Sequence, residues 1–263
     1  MKSLLIVSGE IKKGKKYSIH SVFGKTINIW VEKQIYALVC DRDFLSKRCL
    51  YISYYLPKIT NKIRKGDDLI LNDGCLILGN QSISLRSIVV YQSILKVEDV
   101  QIPCHLKQTI YQSLLKKALD KDLHLHVSAR NYLFKEKLRE AIQQMYQHLY
   151  KKKQIKMDYI GLGYGLTPCI DDYVVGILFI RQIQGFQEFL RILEGVSNDI
   201  SYQMLKNANE RVYYDVFYQL FKDDTPSKLQ NVIQKILSIG SSSGYYMLLG
   251  MYHALEIGEV KHA

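Results

Sequence analysis

Asp67 to Gln92 reads DDLILNDGCLILGNQSISLRSIVVYQ, and the way this stretch turns decides the fold. Short apolar runs flank Asn72-Asp73-Gly74 and then Gly79-Asn80, and both are hairpin signals, because Asp-Gly and Gly-Asn tolerate the left-handed backbone that a tight turn demands. Upstream, YSIHSVF (17–23), TINIWV (26–31) and QIYALVC (34–40) are β-branched and aromatic runs separated by Gly24-Lys25 and Glu32-Lys33, which again predicts strands. The N-terminal part therefore reads as an antiparallel β meander or small barrel.

Downstream of Pro103 the period changes from two to that of a helix. KQTIYQSLLKKAL comes first, and then Ser128 offers a cap for ARNYLFKEKLREAIQQMYQHLYKKK, with Leu133, Leu138, Ile142, Met145 and Leu149 at helical spacing. Ser197 and Asp199 precede ISYQMLKNANERVYYDVFYQLF, where Ile200, Met204, Ala208, Val212 and Leu220 are expected on one face. Thr225-Pro226 opens a further helix over KLQNVIQKIL. The fold class is thus α+β, with a β-rich domain over 1–102 and a mostly α-helical domain over 103–263.

The chain has 263 residues, 48% of them hydrophobic, enough for a sizeable core in one large domain or two of about 100 to 150 residues. Met1 to Val7 holds only the apolar run SLLIV, so neither a secretory signal nor a membrane span is visible, and the cytoplasm is the default. Cys40, Cys49, Cys75, Cys104 and Cys169 are odd in number and lack a Cys-x-x-Cys pair, which argues for reduced thiols over a disulfide framework or zinc cage. The net charge of +11 comes with 27 Lys against 9 Arg. Phosphate and base readers lean on Arg, and the lysine clusters (Lys12, Lys13, Lys15, Lys16; Lys151, Lys152, Lys153, Lys156) sit beside turns. They read as solvated loop charge, so nucleic acid is not the expected partner.

The richest stretch is GLGYGLTPCIDDYVVG, Gly161 to Gly176. Thr167 as N-cap, Pro168 at the first helical position and two acids in the first turn describe a well-capped helix. Capping does not account for Gly161, Gly163 and Gly165, each costly in backbone entropy, and their excess predicts a loop that something approaches closely. A second glycine and hydroxyl loop, Gly240-Ser241-Ser242-Ser243-Gly244, also runs into an apolar helix. Aligning the two places Gly176 over Gly250, which predicts two helices crossing at these glycines with their N-terminal loops side by side.

These residues resemble a family of bacterial proteins. GLGYGLTPCIDDYVVG resembles its G-x-G-x-G-L-T-P-S-G-D-D-x-x-x-G signature, and Ile239 to Gly244 with Gly250 resembles its C-terminal I-G-x-S-S-G…G motif. Ser197 to Ala208 is similar to its middle motif, and His20-Ser21-Val22-Phe23 with Asn28 to its N-terminal strand region. The best understood members are AllH-like, subunits of the oxamate carbamoyltransferase complex of allantoin breakdown. The resemblance implies exchange of a carbamoyl group between oxalurate and phosphate, with an FdrA-like subunit and one further subunit as partners. Cys169-Ile170 stand where the family has Ser-Gly, and Tyr164 where it has proline.

For such a site, the N–H groups of Gly163, Gly165 and Leu166 with the Thr167 hydroxyl are expected to hold a phosphate or carboxylate, with Ser241, Ser242, Ser243 and Gly244 as a second cradle. Asp171 and Asp172 are the candidate catalytic acids, Asp172 foremost. Three roles stay open for them: binding the amide protons of a carbamoyl group, holding a Mg²⁺ that bridges to phosphate, or serving as cap charges. No protein metal-ligand set is assigned, since His124 and His126 lack a third ligand at zinc spacing. Trp30 and the 20 tyrosines read as core. Activity is expected only within a complex, because no nucleophile and base pair can be assigned from sequence order. A stand-alone small-anion or nucleotide binder is the other reading.

Overall fold

The computed structural model describes residues 2–91, 100–119, 132–152, 154–187 and 197–259. Ser128, Lys153 and the pair His124 and His126 lie outside them. The chain divides into two compact units, Met1–Leu95 with Val212–Asp215, and Lys96–Arg211 with Val216–Ala263.

The first unit is a closed barrel. Its strands are β1 (Ser3–Val7), β2 (Lys16–Val22), β3 (Thr26–Val31), β4 (Gln34–Val39), β5 (Cys49–Ile52), β6 (Asp68–Asn72), β7 (Cys75–Leu78) and β8 (Gln81–Val90), in the spatial order β1-β5-β4-β3-β2-β6-β7-β8. Alternation fills it: Ile27, Ile29 and Val31, Tyr36 and Leu38, Leu69 and Leu71, Leu76 and Leu78, and Ile83 and Leu85 all enter one core cluster. The hairpins predicted from the turn dipeptides form in the expected register, Asn72 opposite Cys75 and Leu78 opposite Gln81. A purely antiparallel meander is corrected at two seams, for β4 pairs with β5 and β1 with β8 in parallel. The run SLLIV, noticed in the sequence only as too short for a signal, is the closing strand β1, and closure removes the sheet edges.

The second unit is helical: α1 (Leu106–Leu115), α2 (Tyr132–Lys152), α3 (Cys169–Ile183), α4 (Asp199–Asn209), α6 (Pro226–Leu237) and α7 (Ser243–Glu259), while α5 (Asp215–Gln219) begins at the last residue of the first unit. In α3 every residue from Cys169 to Gln182 is buried, as expected of a helix apolar on all sides. The stripe on α2 holds at Leu138, Ile142, Met145 and Leu149, but Leu133 is 77% exposed and does not belong to it. The long helix expected from Ile200 to Leu220 is two. Helix α4 stops at Asn209, Arg211 turns left-handed at φ 57° and α5 starts afresh at Asp215. The buried residues of α4 are Ser201, Gln203, Leu205 and Ala208, so of the expected face Ala208 is inside while Ile200 and Met204 are not fully buried. All five cysteines are free thiols, and among the described residues no helix is long and apolar enough to cross a membrane.

Candidate functional site

The loop before α3 is built against its own helix. A Cβ on Gly163, whose φ is +147°, would lie 1.9 Å from the Cys169 amide nitrogen. What approaches this loop closely is therefore the start of α3. Ile170 N–H donates back to the Leu162 carbonyl at 3.0 Å, so this first-turn amide of α3 is spent within the protein. Gly161 and Gly165 also carry positive φ, +87° and +97°. Tyr164 packs its ring on Phe134 of α2, centroids 4.0 Å apart, and Asn198 Nδ2 donates to the Leu166 carbonyl at 2.7 Å.

Thr167 does not cap α3. Pro168 occupies the N-cap position with no side-chain cap bond, and the Thr167 hydroxyl turns inward to donate to Asp172 Oδ2 at 3.0 Å. The same hydroxyl meets Ser243 Oγ at 2.9 Å, and Ser243 also hydrogen-bonds the Asp172 carboxyl. The two glycine loops thus converge through their hydroxyls. Their helices are held together behind them at the predicted crossing: a Cβ on Gly176 would lie 1.9 Å from the Met247 carbonyl oxygen, and one on Gly250 would lie 2.0 Å from that of Tyr173. At the start of α7, Gly244 lies against the Ile236 carbonyl and gives its amide to Ile239 at 3.1 Å. Ser242 is buried there, while Ser241, Gly165 and Leu166 are exposed.

The two acids are both fully buried but have opposite surroundings. Asp171 receives Gly161 N–H on Oδ1 at 2.6 Å and the hydroxyls of Ser197 and Ser201 on Oδ2 at 2.6 and 2.5 Å. It ties the glycine loop and α4 to α3, and it explains why the serine face of α4 points inward. Ser197 lies just before the Asn198 N-cap and Ser201 in the first turn of α4, both in the middle motif, and only the packing of α4 on α3 brings them to Asp171. Asp172 has only Oδ2 engaged, for Oδ1 is buried without a hydrogen-bond partner. Desolvation, together with the neighbouring Asp171, pushes its pKa well above the ordinary carboxylate value, with the hydroxyls of Ser243 and Thr167 opposing. The pair does not form a divalent-cation site as it stands, since donors converge on both Asp171 oxygens and would repel a cation. Among the described residues no three His, Cys, Asp or Glu side chains gather to hold a metal.

The raised Asp172 carries a pH signature. In the unfolded chain it ionises near pH 4, whereas in the folded protein it keeps its proton to higher pH. Folding then takes up a proton between the two values, and stability falls as pH rises through that window. Asp172→Asn cannot ionise. It is expected to match the wild type near pH 4 and to exceed it at pH 8, by about 1.4 kcal/mol for every pH unit of the window. Urea unfolding of both proteins at the two pH values measures this, and parallel stability curves would refute a buried, neutral Asp172.

Cys169 lies at a helix start, a place that can lower a thiol pKa, yet burial pushes it up to about 11, and its side chain is fully buried. Of the second lysine run, Lys151 lies in the last turn of α2 and Lys156 pairs with Asp158 at 3.3 Å. Both line an open cleft of about 440 Å³ with Gln143, Gln144, Gln147 and His148.

Residues 159–255 match the family described as oxamate carbamoyltransferase subunit AllH, a span that holds both glycine loops, the Ser197 to Ala208 segment and the α3–α7 crossing. His20 to Phe23 and Asn28 fall outside it. No solved structure matches the chain.

Proposed function

From the AllH-like character of residues 159–255, we propose that this chain is the AllH-type subunit of an oxamate carbamoyltransferase complex and contributes an anion-binding face to a composite site. One observation carries the assignment of the face: the hydroxyls of Thr167 and Ser243 meet over the carboxyl of Asp172 where two helices begin. Two adjacent carboxylates would ordinarily expel a phosphate or carboxylate. Here burial favours the neutral form of Asp172, and Asp171 is surrounded by three donors, so the helix N-termini and hydroxyls dominate the local field. A protonated Asp172 also has a donor to offer through the oxygen that now lacks a partner, suited to the carbonyl of a carbamoyl group.

The AllH-like character of residues 159–255 implies the reaction. Phosphate oxygen attacks the carbamoyl carbon of oxalurate, the carbon–nitrogen bond breaks, and oxamate leaves with carbamoyl phosphate as the other product. The FdrA-like and further subunits complete the site. Mixing the three purified subunits with oxalurate and phosphate should give turnover that is lost when this chain is omitted and absent when it is alone. Thr167→Val and Ser243→Ala, assayed in the complex, are expected to raise KM for phosphate about tenfold each, because each hydroxyl turns its one hydrogen from Asp172 to the bound phosphate and its removal loses a hydrogen bond to a charged group. Turnover that persists without this chain refutes the subunit role. Unchanged KM in both variants refutes the assignment of the face.

A further inference from the structure

The segment His20 to Phe23 with Asn28 belongs to the barrel unit, and its strand pairing is irregular. Strands β2 and β3 pair Ile19 with Ile29 and Ser21 with Asn28, and the register slips between Ile19 and Ser21. His20 is the extra residue, a β-bulge. Bulges re-aim side chains and recur beside active sites; this one buries both Ile19 and His20 where simple alternation would expose one of them. The imidazole Nδ1 then lies 2.9 Å from Ser21 Oγ, and Asn28 Nδ2 donates to the same oxygen at 3.0 Å. The ring is braced edge-on by Trp30, centroids 5.0 Å apart with planes at 87°.

The ring's tautomer decides the roles, and with Nδ1 unprotonated Ser21 is the donor. A carboxamide nitrogen only donates, so one lone pair of Ser21 Oγ is taken and its own hydrogen is free to point at Nδ1. That leaves Oγ with a base in line and a second donor holding it in position, the relation of an activated nucleophile to its general base. Ser21 itself is half-buried, close to the exposed turn Phe23 to Lys25. We propose that Ser21 is a nucleophilic hydroxyl, with His20 as its base and Asn28 as a positioning residue, that accepts an acyl-type group from an activated ester or acyl phosphate. In the step, Ser21 Oγ forms a bond to the carbonyl carbon and its proton passes to His20 Nδ1. The bond from that carbon to the leaving oxygen breaks, and the proton then goes to the departing group.

The test uses the full chain with 4-nitrophenyl acetate and needs no partner subunit, so it stands or falls separately from the carbamoyltransferase reading. Intact mass should show one acetyl group acquired with release of 4-nitrophenol, mapped to Ser21 within residues 17–25. Ser21→Ala should abolish it. His20→Gln, which keeps a polar partner for the hydroxyl, should slow acetylation about 100-fold, the ordinary contribution of a general base, and should remove the rise of rate with pH. Asn28→Ala should slow the reaction while keeping that rise. Thermal melting of each variant guards against misfolding, and for a variant that does not fold, the pH dependence of the wild-type rate is read in its place. Acetyl groups only on lysines, equal labelling in Ser21→Ala, or a pH-independent wild-type rate each overturns the proposal.

Discussion

Gly250→Ala is expected to destabilise the protein by about 3 kcal/mol, with Gly176→Ala costing about the same, the upper part of the usual range for overpacking. At an exposed helical site the same change would stabilise by up to about 1 kcal/mol, because alanine is the better helix former. The crossing reverses the sign. The added methyl meets a backbone carbonyl of the opposing helix at 1.9 or 2.0 Å, and backbone cannot rotate aside as a side chain can, so α3 and α7 must part. Both glycines serve one crossing, so the double variant should cost less than the two singles added: the first methyl opens the gap that the second then occupies. Urea midpoints at constant m-value measure all three. Stabilisation by either single substitution would mean that the helices do not touch here.

Asp171→Ala should cost about 3 to 4 kcal/mol. It leaves the Gly161 amide and two serine hydroxyls without their acceptor, and an unsatisfied buried donor costs about 1–3 kcal/mol; Ser197, only half-buried, recovers part of this from water. Asp171→Asn keeps one oxygen for Gly161 and turns an NH₂ toward the serines, whose hydroxyls can rotate to accept, so its cost should be about 1 kcal/mol. Hydrogen exchange adds a local readout: the Gly161 amide should exchange faster in the alanine variant and keep much of its protection in the asparagine one. Equal effects of the two substitutions, or an unchanged Gly161 amide, would show that Asp171 does not fasten the loop to α4.

These two sites differ in how they could be read beforehand. Gly176 and Gly250 announce themselves, because a glycine inside an apolar helix has a cost that close packing explains, and the aligned loops pair the two positions. Asp171 looked like a cap charge or a catalytic acid. Its donors come from Gly161, ten residues before it, from Ser197 just ahead of α4, and from Ser201 on that helix, whose phase the apolar residues misjudged: Ile200 and Met204 suggested one face, whereas the carboxylate draws Ser201 inward. Thr167 misled in the same way. Thr-Pro before acids is a local capping pattern, yet its hydroxyl binds a carboxyl one turn on and a serine 76 residues away.

What the amino-acid sequence determined by itself was whatever depends on neighbours along the chain. The hairpins at Asp73-Gly74 and Gly79-Asn80, the two-residue alternation of the barrel strands and the helical period after Pro103 all act over a few residues, where backbone sterics and side-chain direction leave little choice. Only the tertiary structure decided how β1 and β8 close the barrel in parallel, and which of two adjacent aspartates is fully hydrogen-bonded and which is left half-paired. Those outcomes rest on desolvation and on donors brought together from distant segments. Asp171 and Asp172 have the same side chain and the same local environment in the chain, and point in different directions from one helical turn, so their difference arises only when α3, α4 and α7 pack.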